Sequence, residues 1–104
     1  MQVLALLRML PTTTPDKLGP LIKPEARHVW GLHVTGALRS IHFLQAPGAP
    51  FPTGVSLLME ADTVAEAEAM IKGLPLVAQG LVSTEILPLA PFTSYGALFA
   101  GAQH

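Results

Sequence analysis

The order of apolar and polar residues divides the chain into strands and helices. An almost wholly apolar first segment is typical of a strand covered on both faces, and apolar residues three or four apart are typical of a helix. The pattern predicts strands over residues 2–10, 39–45, 54–61 and 81–87, one helical turn near 15–19, and helices over 24–35 and from Val64 to a stop at Gly73.

Capping residues and breakers support these limits. Thr63 and Glu66 form a capping-box pattern before the last helix. Pro24 is expected at the first position of the main helix and Gly36 just after its end. The loop over residues 46–53 is dense in proline and glycine, which favours an antiparallel hairpin between the two middle strands.

The predicted order is βαββαβ, which is the ferredoxin-like arrangement of an α+β fold: a four-stranded antiparallel sheet with two helices on one face. We expect one domain over residues 1–90. Residues 91–104 are expected to form a C-terminal tail or clasp, with Tyr95, Leu98 and Phe99 spaced as in a short amphipathic helix.

Composition favours a partner subunit. Hydrophobic residues make up 50% of the chain and charged residues only 12%, against roughly 25% charged in an average soluble domain. So little charge predicts that a large apolar surface meets a second copy, as a homodimer or higher homo-oligomer with two sheets packed face to face.

Charge and cysteine content exclude other classes. The net charge is −1, and scattered Lys and Arg form no basic stripe, so nucleic acid is not an expected partner. The absence of cysteine excludes disulfides and thiolate chemistry. Residues 1–11 lack the basic start and cleavage site of a signal peptide, and no apolar run is long enough for a membrane span. A cytoplasmic location is therefore expected.

Residues 73–89, GLPLVAQG followed by LVSTEILPL, resemble the C-terminal half of muconolactone isomerases and the neighbouring YciI-like proteins of the dimeric α/β-barrel superfamily. A looser similarity surrounds His28, Val29 and Trp30. The hairpin loop over 46–53 and the tail depart from that pattern. The resemblance implies a cofactor-independent, isomerase-like enzyme, in which a base moves a proton next to a carbonyl and needs neither metal nor organic cofactor.

Glu25 is the expected base, because helical spacing places it with Val29, Leu32 and Gly36 on the side that faces the sheet. Partial burial there would raise its pKa. The structural alternative is an acid that complements the helix dipole. His33 and His42 are the candidate proton donors, and each has an alternative as a core or interface histidine. His28 is expected nearer the opposite edge, facing solvent or the subunit interface.

The sequence also offers candidate substrate-binding residues. Trp30, Val29 and Tyr95 are expected to contact a small flat ligand. Phe43 and Met59 can serve as pocket walls, although the core is the more ordinary place for them. Arg8, within an apolar strand, is expected to pair with Glu60 or Glu85, or to bind an anionic group of the substrate.

Two other functions fit the same sequence. One is a cofactorless monooxygenase or cyclase of a biosynthetic pathway, and oxygen dependence distinguishes the monooxygenase. The other is a non-catalytic, dimeric ligand-binding or accessory protein, in which Glu25 has only a structural role. The spacing of His28, His33 and His42 matches no metal motif.

Overall fold

In a computed structural model, residues 1–100 of the 104-residue chain are described. The elements in chain order are β1 Gln2–Met9, α1 Pro15–Leu18, a 3₁₀ turn at Gly19–Leu21, α2 Ile22–Val34, β2 Leu38–Leu44, β3 Gly54–Glu60, α3 Val64–Lys72, α4 Pro75–Ala78, β4 Val82–Pro88, a second 3₁₀ turn at Thr93–Gly96, and α5 Ala97–Ala100.

The strands form one antiparallel sheet in the order β2-β3-β1-β4. This order, with the main helices after the first and third strands, is the ferredoxin-like arrangement that the sequence predicts. Strand limits agree with the prediction to within a residue or two. The predicted tail does contain a short helix, α5, and residues 101–104 lie outside the described part of the chain.

One face of the sheet carries the core. Val3, Ala5 and Leu7 of β1 pair with residues of β3 that include Leu57 and Met59, and all five side chains are buried. Ala67, Ile71, Leu74 and Leu76, from α3, α4 and the turn between them, belong to the same buried cluster. Val29 and Leu32 of α2 pack against the same cluster, so both main helices cover this face of the sheet.

The opposite face of the sheet has no covering layer within residues 1–100. Its register places Ser40, Leu58, Leu4 and Leu87 in one row and His42, Ser56, Leu6 and Glu85 in the next. None of these eight side chains is buried. The face is a leucine surface crossed by a few polar groups.

The main helix begins at Ile22, so the prediction that Pro24 starts it is wrong. Pro24 is the third residue of α2, and an amide at that position has no partner within the helix. Proline is therefore tolerated there. At the other end, Gly36 has a φ of 83° and its N–H donates to the His33 carbonyl oxygen, which ends the helix as expected.

Within residues 1–100, no helix combines the length and the apolar character needed to cross a membrane.

Gly54, the first residue of β3, leaves no room for a side chain. A Cβ there would fall inside van der Waals contact with the Leu7 carbonyl oxygen and lie 3.0 Å from the Arg8 Cα. We expect Gly54→Ala to lower the free energy of unfolding by about 1–3 kcal/mol through this overpacking. Gly19→Ala is the control, since a Cβ at Gly19 meets no atom within 4 Å. Urea unfolding of both variants measures the difference, and equal stabilities would contradict the expectation.

Candidate acid–base site

Glu25, on α2, is hydrogen-bonded to the short helix α4. Its Oε1 atom accepts a hydrogen bond of 2.9 Å from the backbone N–H of Leu76, 51 residues later in the chain. Leu76 is the second residue of α4, and Pro75 before it has no N–H. The carboxylate thus caps the first amide that α4 can offer, from a different helix.

Burial and hydrogen bonding act in opposite directions on this carboxyl group. Partial burial raises the pKa of Glu25 above its ordinary value, because desolvation disfavours the charged form. The Leu76 N–H and then the charge of His28 work against that rise without cancelling it. Glu25 is therefore a partly desolvated acid whose pKa is shifted towards neutrality, the direction expected of a general base.

His28 lies beside Glu25, close enough for its charge to act on the carboxyl group. The two residues are one helical turn apart and both are partly buried. A Cβ built on Gly73 would be 3.3 Å from Cε1 and 3.4 Å from Nε2 of His28, so the imidazole ring lies directly against Gly73. The expectation that His28 faces solvent or a subunit interface did not include this contact with Gly73. The i, i+3 spacing of Glu25 and His28 is the signal that could have found this pair.

The GLPL segment, residues 73–76, therefore forms one wall of the site. Gly73 contacts His28, and Leu76 donates to Glu25. Leu74 and Leu76 are buried in the core beneath. The segment that carries the resemblance is thus the segment that α2 contacts through two of its ionisable residues, Glu25 and His28.

Two other predicted site residues lie farther along α2. Trp30 is 64% exposed, and its ring is 5.3 Å from that of His33, which is also exposed. His33 is eight residues beyond Glu25, which is about 12 Å along the helix axis. Val29 and Leu32, by contrast, pack against the core, as expected for the inward side of α2.

His42 lies on the uncovered face of the sheet, opposite Ser56 of β3. The helices that carry Glu25 and His28 lie against the other face, so one subunit does not bring His42 to Glu25. Met59 is fully buried in the core. Phe43, by alternation, faces the helix side of the edge strand β2, yet it is 71% exposed.

Arg8 is not buried, which corrects the expectation of a buried guanidinium. Its Nη1 atom donates to Glu85 Oε1 at 2.8 Å, and the two side chains are 51% and 47% exposed. The predicted pairing with Glu85 is thus present, on the uncovered sheet face. An ion pair this exposed contributes about 1 kcal/mol or less to stability.

Tyr95 lies in the C-terminal segment, not near Glu25. Its ring packs edge-on against Phe92 with 4.9 Å between centroids. Both side chains are largely exposed to solvent.

Two shallow grooves are present in the described part of the chain, and Glu25 lines neither. One, of about 370 Å³, lies between α3 and β4 and is lined by Glu68, Ile71, Lys72, Thr84 and Ile86. The other, of about 310 Å³, lies beside the chain start and the Gly36 turn. Among residues 1–100, no three His, Asp or Glu side chains are close enough together to hold a metal ion.

Comparison with known proteins gives a match in structure only. No protein-family model matches the chain, and no curated protein is similar in sequence. The fold is similar to that of 5-chloro-2-hydroxyhydroquinone dehydrochlorinase (TftG) from Burkholderia phenoliruptrix AC1100, solved in complex with 2,5-dihydroxybenzoquinone. The TM-score is 0.66 at 21% identity, over 86% of this chain and 94% of that one.

A second match is a dimeric ferredoxin-like protein from Thermobifida fusca, with a TM-score of 0.42 and 15% identity over 85% of this chain and 89% of that one. The likeness to the dehydrochlorinase shows the fold, and it agrees with the ferredoxin-like expectation. At this identity it does not carry the reaction across.

The raised pKa of Glu25 predicts how stability changes with pH. A carboxyl group that holds its proton more tightly when folded stabilises the fold fully below its unfolded pKa, near 4.5, and loses that contribution as pH rises through the folded value. Glu25→Gln does not titrate. We therefore expect the free energy of unfolding of the variant, relative to wild type, to increase as pH rises above 4.5.

Urea unfolding across a pH series measures this difference. Glu66→Gln is the matched control, because the Glu66 carboxylate is exposed and also accepts a backbone N–H, from Asp62 at 3.3 Å. A Glu25→Gln difference that stays constant with pH, or that falls as pH rises, would show that the pKa of Glu25 is not raised by folding.

Proposed function

We propose that the protein is a cofactor-independent enzyme that moves a proton on a small carbonyl compound, in the manner of muconolactone isomerases. Glu25 is the proposed base. The observation that supports this most is the partly desolvated Glu25 carboxylate, held by the Leu76 N–H and placed next to His28.

The proposed reaction is a shift of a double bond within a lactone or a related compound. In a lactone such as muconolactone, whose double bond is conjugated with the carbonyl, the Glu25 carboxylate removes the proton from the γ carbon, and the electrons of that C–H bond move through the double bond into the carbonyl to give a dienolate. The same carboxyl group then returns the proton at the carbon next to the carbonyl. No electron acceptor or second reactant is needed for this sequence.

His28 is the proposed partner of Glu25. A protonated imidazole beside a carboxylate favours its charged form and can donate to the enolate oxygen as negative charge develops there. This revises the expectation that His33 or His42 has that role, because His28 is the imidazole whose charge acts on Glu25.

The similarity in fold suggests what kind of compound to try. The enzyme from Burkholderia is named for removing HCl from a hydroxylated, chlorinated ring, and it was solved with a dihydroxybenzoquinone. Eliminations of this kind also begin with proton removal. Small oxygenated rings, either lactones or hydroxyquinones, are therefore the proposed substrates.

We also propose that two copies associate through the uncovered sheet faces. The leucines of that face, Leu4, Leu6, Leu58 and Leu87, remain at least partly accessible in one subunit. A partner sheet would cover them, as the low charge content of the chain suggests.

A non-catalytic binding protein is the second candidate. It is favoured by the observation that Glu25 lines neither groove and already has a structural contact, with Leu76. In that case Glu25→Gln would leave ligand binding unchanged. A cofactorless monooxygenase or cyclase on the same fold is a further alternative, and turnover that needs oxygen would identify the monooxygenase.

The first test is proton exchange in heavy water. Muconolactone and plain butenolides are followed by NMR, and chloride release is followed from 5-chloro-2-hydroxyhydroquinone. We expect deuterium incorporation or elimination with at least one compound, reduced about 10²- to 10⁴-fold in Glu25→Gln through loss of the base. Glu66→Gln should leave the rate unchanged.

Two outcomes would contradict the proposal. Exchange that persists at the full rate in Glu25→Gln would remove Glu25 as the base. The absence of exchange and of elimination with every compound, while the fold is intact by circular dichroism, would favour the binding protein instead.

A further inference from the structure

The C-terminal segment from Leu89 to Phe99, here called the arm, exposes large apolar side chains. Phe92, Tyr95, Leu98 and Phe99 are between 66% and 74% exposed. Residues 86–100 contain no charged residue. An uncharged, aromatic segment in water lowers its free energy when another surface covers it.

The arm leaves the sheet at the end away from the β2–β3 hairpin loop. The Leu89 N–H donates to the Gln2 carbonyl oxygen, whereas the Met9 N–H, at the other end of β1, donates to Thr53 of the loop. These two ends of β1 are about 23 Å apart. Strand β4 runs away from the loop, and the arm continues from its end into the 3₁₀ turn at Thr93–Gly96 and α5.

The hairpin loop and the adjoining end of β2 offer a surface of the same kind. Phe43 is 71% exposed and Phe51 66% exposed. Residues 43–53 contain no charged residue. One chain thus carries two apolar, uncharged surfaces at opposite ends of its sheet, and within one subunit they do not cover each other. The greatest extent of the molecule is 64 Å, against 34 and 20 Å in the other directions.

We propose that the arm of each subunit docks on the hairpin loop of a second copy. A two-fold axis perpendicular to β1 places the arm end of one subunit beside the loop end of the other. The same axis repeats the contact, so the dimer contains two reciprocal arm–loop contacts. This inference rests on the proposal of a homodimer and adds the segment that holds it together.

The area is sufficient for a stable dimer. The four exposed side chains of one arm can bury about 500 Å², given that a large aromatic side chain buries about 150–250 Å². With an equal area on the receiving loop and two contacts per dimer, the total is about 2,000 Å², at the upper end of the range for stable interfaces.

Cross-linking tests the contact, and the absence of cysteine in the chain makes single-cysteine variants specific. One protein is tagged and carries Ser94→Cys in the arm. The other is untagged and carries Ala46→Cys at an exposed position of the loop. The two are mixed and treated with a short bis-maleimide, which links cysteines that lie close together. We expect the mixed cross-linked dimer as the main product. Asp62→Cys is the control, because Asp62 follows Glu60 at the arm end of the sheet, where the partner's arm does not reach.

Light scattering during gel filtration tests how much the arm contributes to the stability of the dimer. Replacing Phe92, Tyr95, Leu98 and Phe99 together by serine should raise the dimer dissociation constant at least tenfold. The circular dichroism spectrum should stay the same, since none of these side chains belongs to the core.

The results of these two experiments distinguish the arm–loop contact from the sheet-face dimer. If the four serine substitutions leave the dimer unaffected and positions 94 and 46 do not cross-link, the proposed docking of the arm on the partner's loop is wrong. The proposed sheet-face dimer would then remain unchallenged. A monomeric full-length chain would overturn both. If Ser94→Cys cross-links to Asp62→Cys as efficiently as to Ala46→Cys, the proposed docking is also wrong, because the arm would then have no defined position on the partner.

Discussion

The hydrogen bond from the Leu76 N–H to Glu25 is the contact on which the arrangement of the site depends. It joins α2 to the short helix before the last strand, across 51 residues of sequence. It also holds the Glu25 carboxylate where burial raises its pKa. His28, one turn later, then lies against Gly73. The same carboxylate therefore caps α4 and is the acid whose pKa burial raises, so structure and proposed chemistry use the same atoms.

Sequence patterns predict most of this fold. Period-two and helical spacing, a capping box and proline-rich turns are local signals, and they identify each strand and the two main helices. Pro24 misleads, because a proline within the first turn of a helix is compatible with more than one starting residue. The short helix α4 was not predicted, because Pro75 supports the helix stop at Gly73 and is equally suited to the first position of a new helix.

The geometry around Glu25 was predicted only in part, because it depends on contacts between distant segments. Spacing identifies Glu25 as inward-facing, but no pattern within α2 indicates that a backbone amide near residue 76 will meet it. The sequence-based expectation favoured His33 and His42 over His28, although His28 is i, i+3 from Glu25. The topology reverses that preference, with His42 on the far face of the sheet and His28 against Gly73. Arg8 was expected to be buried because its strand is apolar, yet the face it points to is uncovered within one subunit.

The most direct test of this account is an NMR titration of the Leu76 backbone amide. If the Glu25 carboxylate holds that amide and has a raised pKa, the Leu76 ¹H–¹⁵N signal shifts with pH, its midpoint lies above 4.5, and Glu25→Gln removes the shift. A Leu76 signal that does not titrate, or that titrates equally in the Gln variant, would contradict the contact at the centre of the site. A midpoint at or below 4.5 would leave the contact in place and remove the perturbed acid.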